Sequence, residues 1–384
     1  MTTSHALERR RSKLLMNVQR RSAATAALQV ARSNAQKMYC SSADAKACHL
    51  SRMDGSPKLV PDGLLVEARR LNVFEPFKGS VPYYHQYRGS KAPRPICSFP
   101  RPLKVADRMA KDLIEAQFEP GRHYYNWKGR GSQMLIRSLR DALATRGSFL
   151  IIADVRDCYP SINPDVLYEL EILPNELVEA ALDVRRHSFV RVDPEQLVGG
   201  GAKRQSVQRR QYWHGSPEQV APRGLMQGLA SSNAILAVLL NDIVEALPDN
   251  ITLFVWSDNI AIVCSTENEC SHANDALARY FSEHRAGPLS HTVSFFGHIK
   301  EQPEFLGYRM ALNDDCEPTI TFSYANYFKS IRRVLRAQQV REIESVDEAL
   351  RHLTSGLPAL DPNVLDEVCD LISEHLWLAD PGDI

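Results

Sequence analysis

Neither proline nor glycine occurs before Gly55. In a stretch rich in Ala, Leu, Gln and Arg, that absence removes the usual turn formers and predicts helix from residue 1 to about 50. No apolar run approaches the roughly 20 residues that cross a bilayer. Arg9, Arg10, Arg11 and Lys13 are followed by no secretory apolar region, so a cytoplasmic protein without a membrane partner is expected. The 8 cysteines form no C-x-x-C pair, which argues against a disulfide framework or a structural zinc site and leaves reduced thiols as the expectation. Net charge is absent too, with 46 Lys+Arg against 46 Asp+Glu. The balance is uneven along the chain: residues 1–150 hold 27 basic and 11 acidic side chains, the remainder 19 and 35. Such a split points to a basic surface for a polyanion with acidic groups gathered elsewhere, although two solvated faces that neutralise each other give the same count.

The punctuation changes after residue 50. Turn formers cluster in "MDGSPKLVPDG", and aromatics, prolines and basic residues alternate up to Lys104 in what reads as strands and loops. A helix is expected from Val105 to about Gln117, and a second, amphipathic one carries Met134, Leu135, Leu139 and Leu143 along one side. Between them, "RHYYNWKGRGS" sets aromatics beside Lys128 and Arg130, a combination that suits phosphates and stacked bases; a surface loop anchored by its rings is the plainer alternative. "SINPDVLYELEIL" has Asn163 as N-cap and Pro164 at N1 of a further helix. Residues 185–223 form the one clearly basic segment of the acidic half, and Arg209, Arg210, Tyr212 and Trp213 there mix charge with stacking surface. "SSNAILAVLLNDIVEAL" reads as a buried helix and "ITLFVWSDNIAIVCST" as a β-hairpin.

Two carboxylates stand out in this succession. Asp154 ends the apolar run "FLIIAD" and Asp258 lies in the hairpin turn; in an antiparallel sheet those ends can be adjacent. Carboxylates on neighbouring strands can hold two Mg²⁺ about 3.5–4 Å apart, the clamp for in-line phosphoryl transfer. Taken singly, an Asp-x-x-Asp or a Ser-Asp-Asn is an ordinary strand end or turn. Their order is more specific. "DVRDCYPSI", "GLMQGLASSNAILAVLLNDI", "VWSDNIAIV" and "FFGHIKEQPEFLGYRM" resemble, in sequence order, motifs of the palm of a reverse transcriptase, and upstream "KAPRPICSFP" and "YYNWKGRGSQ" resemble its finger motifs. The resemblance runs from about Arg94 to Met310.

The resemblance implies an α+β right-hand polymerase fold: fingers, a palm of antiparallel sheet packed on helices, and a short helical thumb. The segments expected are a basic helical extension over 1–60, fingers over 61–148, a palm over 149–310 with the 185–223 insert, and a thumb over 311–384. It also implies an RNA-directed DNA polymerase that adds deoxynucleotides with two Mg²⁺, or Mn²⁺ in their place. Asp154 and Asp258 are then the metal ligands, with the Val155 carbonyl and Asn259 contributing oxygens. Asp157, Tyr159, Gln227, Gly228 and Arg94 belong to the nucleotide pocket, Tyr159 as the ring that excludes a 2′-hydroxyl. Lys300 takes the place of a general acid for pyrophosphate. Arg101, Lys128, Arg130 and the Phe305, Leu306 and Gly307 primer grip contact nucleic acid. The partners implied are an RNA template, in some relatives a dedicated non-coding RNA, a DNA product, deoxynucleotides and a partner protein.

Departures accompany the match. Asn259 replaces the second aspartate of the third motif, Trp256 a smaller aromatic, and Ser231, Ser232 and Asn233 a Ser-Pro. The compact layout is most like stand-alone bacterial enzymes of the retron, abortive-infection and defence-associated kinds. Two other functions stay open on the sequence: an untemplated or protein-primed DNA polymerase of the same fold, and a degenerate palm, disabled at Asn259, that binds RNA or protein.

Overall fold

A computed structural model of the chain describes residues 2–21, 26–53, 59–60, 62–88, 91–193 and 220–323. Helices α1 (Ser4–Arg21), α2 (Ala26–Ser41), α3 (Ala43–Met53) and α4 (Asp62–Arg70) come first. Strands β1 (Ser80–Arg88) and β2 (Lys91–Cys97) lead to helices α5 (Arg101–Gln117) and α6 (Ser132–Thr145). Strands β3 (Phe149–Val155) and β4 (Ser188–Arg191) precede helix α7 (Ser232–Leu239). The hairpin β5 (Thr252–Trp256) and β6 (Asn259–Cys264), helix α8 (Glu267–Ser282) and strand β7 (His291–His298) follow. Three short strands, β8 (Glu304–Phe305), β9 (Tyr308–Leu312) and β10 (Pro318–Phe322), close the described chain. Helix and antiparallel sheet are thus combined in the α+β manner. Among the described residues no helix is long and apolar enough to cross a membrane.

Two compact units are distinguished, each assembled from three stretches. The first holds the described parts of Met1–Pro120 and Asp157–Leu240 with Ser282–Leu289; the second holds Gly121–Arg156, Asn241–Phe281 and the described part of Ser290–Ile384. Compactness therefore does not follow the contiguous segments 61–148 and 149–310.

In the first unit α1 packs on α2, α3 and α5. Its buried residues Leu7 and Val18 recur at helical spacing, and α5 contributes Leu103, Ala106, Met109, Ala110, Leu113 and Ile114. Polar groups are drawn into the same interface. The Asp112 carboxylate accepts from Arg11 Nε at 2.7 Å and Nη2 at 2.5 Å, lies 3.0 Å from His49 Nε2, and accepts from the Tyr39 hydroxyl. Burial alone would raise the Asp112 pKa, but the His49 and Arg11 contacts outweigh it and hold the carboxyl well below its usual range. Burial, then the carboxylate, pushes the Tyr39 hydroxyl upward. The predicted N-terminal helices are present, and one buried charge cluster ties α1, α2 and α3 to α5.

The sheet of this unit has the order β2-β1-β4, with β1 antiparallel to β2 and parallel to β4. Helix α5 begins at Arg101, earlier than Val105, because Pro102 suits the first turn, where no backbone donor is needed. The helix expected from Asn163 shrinks to the single turn Val166–Glu169. Asn163 Oδ1 accepts from Asp165 N at 3.1 Å, a local turn that competes with a longer helix.

The second unit is built on a four-stranded antiparallel sheet, order β5-β6-β3-β7. Leu150, Ile152, Ala261 and Val263 share a core with Leu135, Ile136 and Leu139 of α6. The alternate residues Ile151, Ala153, Val155, Ile260 and Ile262 are buried as well. A strand covered on both faces has no alternation to show, which is why "FLIIADV" reads as an unbroken apolar run. Residues 318–322, expected within a helical thumb, instead pair as β10 with β9, Tyr308 facing Phe322; the β-branched alternation of Thr319, Ile320 and Thr321 favours strand. The rest of the expected thumb, 324–384, and residues 194–219 of the basic insert lie outside the described residues.

Candidate active site

Asp154 is the first exposed residue of β3 after four buried ones. The β5–β6 hairpin turns through Ser257 and Asp258, with Trp256 paired to Asn259. Ser257 takes φ +59°, as the first position of a tight II′-type hairpin turn requires. Register then fixes the juxtaposition: Asp154 faces Asn259, and Val155 N–H donates to the Asp258 carbonyl at 2.9 Å. Asp154, near the end of β3, and Asp258, in the turn that leads into β6, therefore lie at one end of the sheet.

Asn259 acts here as a donor. Its Nδ2 donates to Asp258 Oδ1 at 3.2 Å and to the Trp256 carbonyl at 3.4 Å, which orients the carboxylate and keeps only the Asn259 amide oxygen for other partners. Among the described residues no group of three or more His, Cys, Asp or Glu side chains is arranged so that it could hold a metal ion by itself. Two carboxylates, an amide oxygen and a main-chain carbonyl are hard oxygen donors. They fit Mg²⁺ or Mn²⁺, ions that are commonly held by one or two carboxylates and completed by substrate phosphates.

Lys300 is not with them. It stands exposed on the 3-10 turn Ile299–Glu301, where Ile299 N–H donates to the Ser148 carbonyl at 2.9 Å. β7 runs antiparallel to β3, with His298 opposite Phe149 and His291 opposite Val155. Lys300 thus belongs to the Phe149 end, five residues or about 17 Å along the strand from Asp154, out of reach for a proton transfer at the carboxylates. The lysine precedes the Phe-Leu-Gly-Tyr motif as expected, but the strand carries it to the far end.

Arg130 departs similarly from a purely nucleic-acid-facing role. Its Nη1 donates to the carbonyls of Gly121 and Tyr124 at 2.6 and 2.7 Å, closing the loop on itself. The loop is stitched to β5 by Tyr125 N–H to the Val255 carbonyl and Val255 N–H to the His123 carbonyl, at 2.9 and 2.7 Å. Trp127 is buried, while Lys128 is exposed. Phe305 also turns inward and joins the core cluster; as a core ring it does not face nucleic acid. Leu306 and Gly307 form the two-residue turn between β8 and β9, with φ +52° and +84°. Both values suit a I′ hairpin turn, a conformation that favours Asn-Gly and strains a leucine.

The remaining candidates belong to the first unit. Asp157 opens the one-turn helix Cys158–Ser161 at φ +44° and is exposed. Tyr159 is held twice: its hydroxyl donates to Asn233 Oδ1, and its carbonyl accepts from Leu225 N–H at 2.8 Å. Gly224 sits beneath it at φ +62°, where a Cβ would lie 2.3 Å from the Tyr159 carbonyl oxygen. Gln227 accepts through its carbonyl from Cys97 N–H at 3.0 Å. Gly228, at φ +107°, brings its backbone against Cys97, where a Cβ would meet the carbonyl oxygen at 2.7 Å. Arg94 is half-buried on β2 opposite Gln86, and Arg101 pairs with Glu67, Nε to Oε1 3.2 Å.

Asp107 went unnoticed in the sequence. It is 4% exposed on α5 and accepts from Ala230 N, Ser231 N and Ser231 Oγ at 2.7, 2.9 and 2.6 Å. The readable signal was a carboxylate within the apolar stripe Leu103, Ala106, Ala110 and Ile114. Asn233, the partner of Tyr159, carried no signal beyond its departure from Ser-Pro.

No family model and no curated protein matches the chain. Solved structures similar to it include the telomerase of Candida albicans in complex with the TWJ fragment of telomeric RNA. That match has 12% identity and a TM-score of 0.41, covering 78% of this chain and 56% of that one. Another is the Sicinivirus 3Dpol RNA-dependent RNA polymerase, at 12% identity and a TM-score of 0.40, covering 79% and 64%. Both are nucleic-acid polymerases, and this chain spans less than two thirds of the length of either. Likenesses this distant carry no argument about activity.

Proposed function

We propose that the chain is a reverse transcriptase, a nucleotidyltransferase that extends a 3′ end with deoxynucleotides on an RNA template. The observation that carries this reading is the register that brings the carboxylates of two separate sequence motifs, Asp154 and Asp258, to one end of an antiparallel sheet. It accords with the ordered motif succession.

In this reading Asp154, Asp258 and the Val155 carbonyl hold the metal, and Asn259 orients Asp258 through its amide hydrogens. Mg²⁺ held there would supply Lewis-acid chemistry, favouring loss of the proton from the attacking hydroxyl and offsetting the phosphate charge. The ring of Tyr159, fixed by Asn233 and Leu225, excludes a 2′-hydroxyl by rigidity as much as by size. Lys128 and the basic first half attract the template and primer backbones. Kinship with the retron and defence-associated enzymes rests on motif resemblance alone, as does a dedicated RNA partner.

The test is incorporation of labelled deoxynucleotides by the purified protein with Mg²⁺ or Mn²⁺, its co-purifying RNA retained or digested, beside Asp258→Ala. Synthesis that needs both Asp258 and RNA is expected. RNA-independent synthesis points to an untemplated polymerase. A second reading, a degenerate palm that only binds, is favoured by the Asn259 contact. It requires the unmodified protein to make no product and Asn259→Asp to restore synthesis.

A further inference from the structure

The loop between Gly224 and α7 is fastened at three points. The Gln227 carbonyl accepts from Cys97 N–H, the Ser232 hydroxyl donates to the Met226 carbonyl at 2.8 Å, and Ala230 and Ser231 donate to Asp107. The first two are neutral and within reach of any well-formed loop. The third is a buried carboxylate from a different helix, and desolvation makes such a group costly unless its hydrogen bonds are complete. Burial raises the Asp107 pKa even though three hydrogen bonds pull it down.

Ser231 explains why the group is there. It occupies the N-cap of α7 but makes no side-chain capping bond to its own helix, the usual role of an N-cap serine. Its hydroxyl is donated to Asp107 instead, and Asp107 takes the adjacent amides as well. A serine capping its own helix would stabilise α7 wherever the helix lay. A remote carboxylate does more: it registers the loop against α5, and β2, which leads into α5, holds the other side at Cys97.

We propose that Asp107 is a positioning residue that sets the place of the Met226–Ser231 loop, and with it Gln227 and Gly228. The consequence for nucleotide binding rests on the reading of those two residues as part of the nucleotide pocket. Asp107 itself touches no substrate. Its removal should loosen the pocket before the chemistry and raise the deoxynucleotide KM more than it lowers kcat.

The experiment has two arms on Asp107→Asn, Asp107→Ala and Ser231→Ala. Amide hydrogen exchange at Ala230 and Ser231 is expected to quicken at least about tenfold in both Asp107 variants, the factor for one lost charge-assisted hydrogen bond. The α5 amides should keep their protection. Ser231→Ala, which loses only the hydroxyl contact, should fall between. Single-nucleotide kinetics should show KM up about tenfold with kcat within about threefold, and Asp107→Glu should recover part of the loss. Unchanged exchange at Ala230 and Ser231 overturns the proposal. So does a fall in kcat that tracks the folded fraction with KM constant. If Asp107→Ala does not fold, the isosteric Asp107→Asn and Ser231→Ala decide. An unmodified protein that incorporates nothing refutes the polymerase reading, while the exchange arm still decides whether Asp107 holds the loop.

Discussion

Replacing Asp112 by alanine isolates the claim that the N-terminal helices belong to the folded core. The carboxylate is 10% exposed and accepts from an Arg11 side chain that is 13% exposed, from Tyr39, and across 3.0 Å from His49. Its removal leaves the Arg11 guanidinium with Glu8, 3.0 Å from Nη1, as its remaining counter-charge, so the cost lies at the low end of the about 3–5 kcal/mol for a broken buried pair. An orphaned tyrosine hydroxyl adds about 1–3 kcal/mol. These contributions overlap, because the same four groups share one site, and about 4 kcal/mol is a reasonable figure. Against a typical total of about 5–15 kcal/mol that is a thousandfold change in the folded-to-unfolded ratio. With a urea slope near 2.5 kcal/mol/M it lowers the midpoint by about 1.6 M. Equilibrium urea unfolding followed by circular dichroism measures it. Arg11→Met with Asp112→Leu, which removes both charges, should recover at least half of the loss. An Asp112→Ala midpoint within about 0.4 M of the unmodified protein would instead mark α1 to α3 as a separable extension.

Acid stability should report the same group. Because Asp112 is held below its usual pKa, the unfolded chain takes up a proton before the folded one does. Its stabilisation is complete above the ordinary carboxylate range and is lost as pH falls through and below it, so Asp112→Asn should flatten the acid limb of a stability-versus-pH curve; an unaltered limb counts against the assignment. Leu306→Gly should raise stability by about 0.5–1 kcal/mol, since it removes a left-handed leucine from a I′ turn, and a lower melting temperature would show that the leucine side chain contributes more than the strain. Gly228→Ala should disturb the Cys97 contact, with φ +107° and a carbonyl oxygen 2.7 Å from the new Cβ. A loss of about 2 kcal/mol or more is expected, and no change in thermal unfolding would mean that the loop shifts without cost. Under the proposed function, Lys300→Ala should leave incorporation within about threefold of the unmodified rate, because about 17 Å of strand separates it from Asp154; a hundredfold loss would restore its candidacy as general acid.

Local patterns were legible wherever one short segment carried the whole signal. The apolar run of β3, the hairpin around Asp258 and the helices before Gly55 follow from periodicity and turn chemistry within short segments. The order of the motifs also suggested that the ends carrying Asp154 and Asp258 can be adjacent, and the register of β3 with β6 sets Asp154 opposite Asn259. Three features were decided by tertiary structure. Strand direction carried Lys300 to the wrong end of β7, a consequence of antiparallel pairing that spacing in sequence does not reveal. The inward turn of Arg130 depends on carbonyls six and nine residues away that converge only once the loop has closed. Asp107 is marked in the sequence only by its place in the apolar stripe of α5 and Asp112 by nothing, and their roles come from partners 124 and 101 residues distant. Sequence determines which segments can be helix or strand because those preferences are local. Only packing determines which buried charge meets which donor, because desolvation makes an unpaired charge intolerable and the nearest partner in space is set by the whole fold.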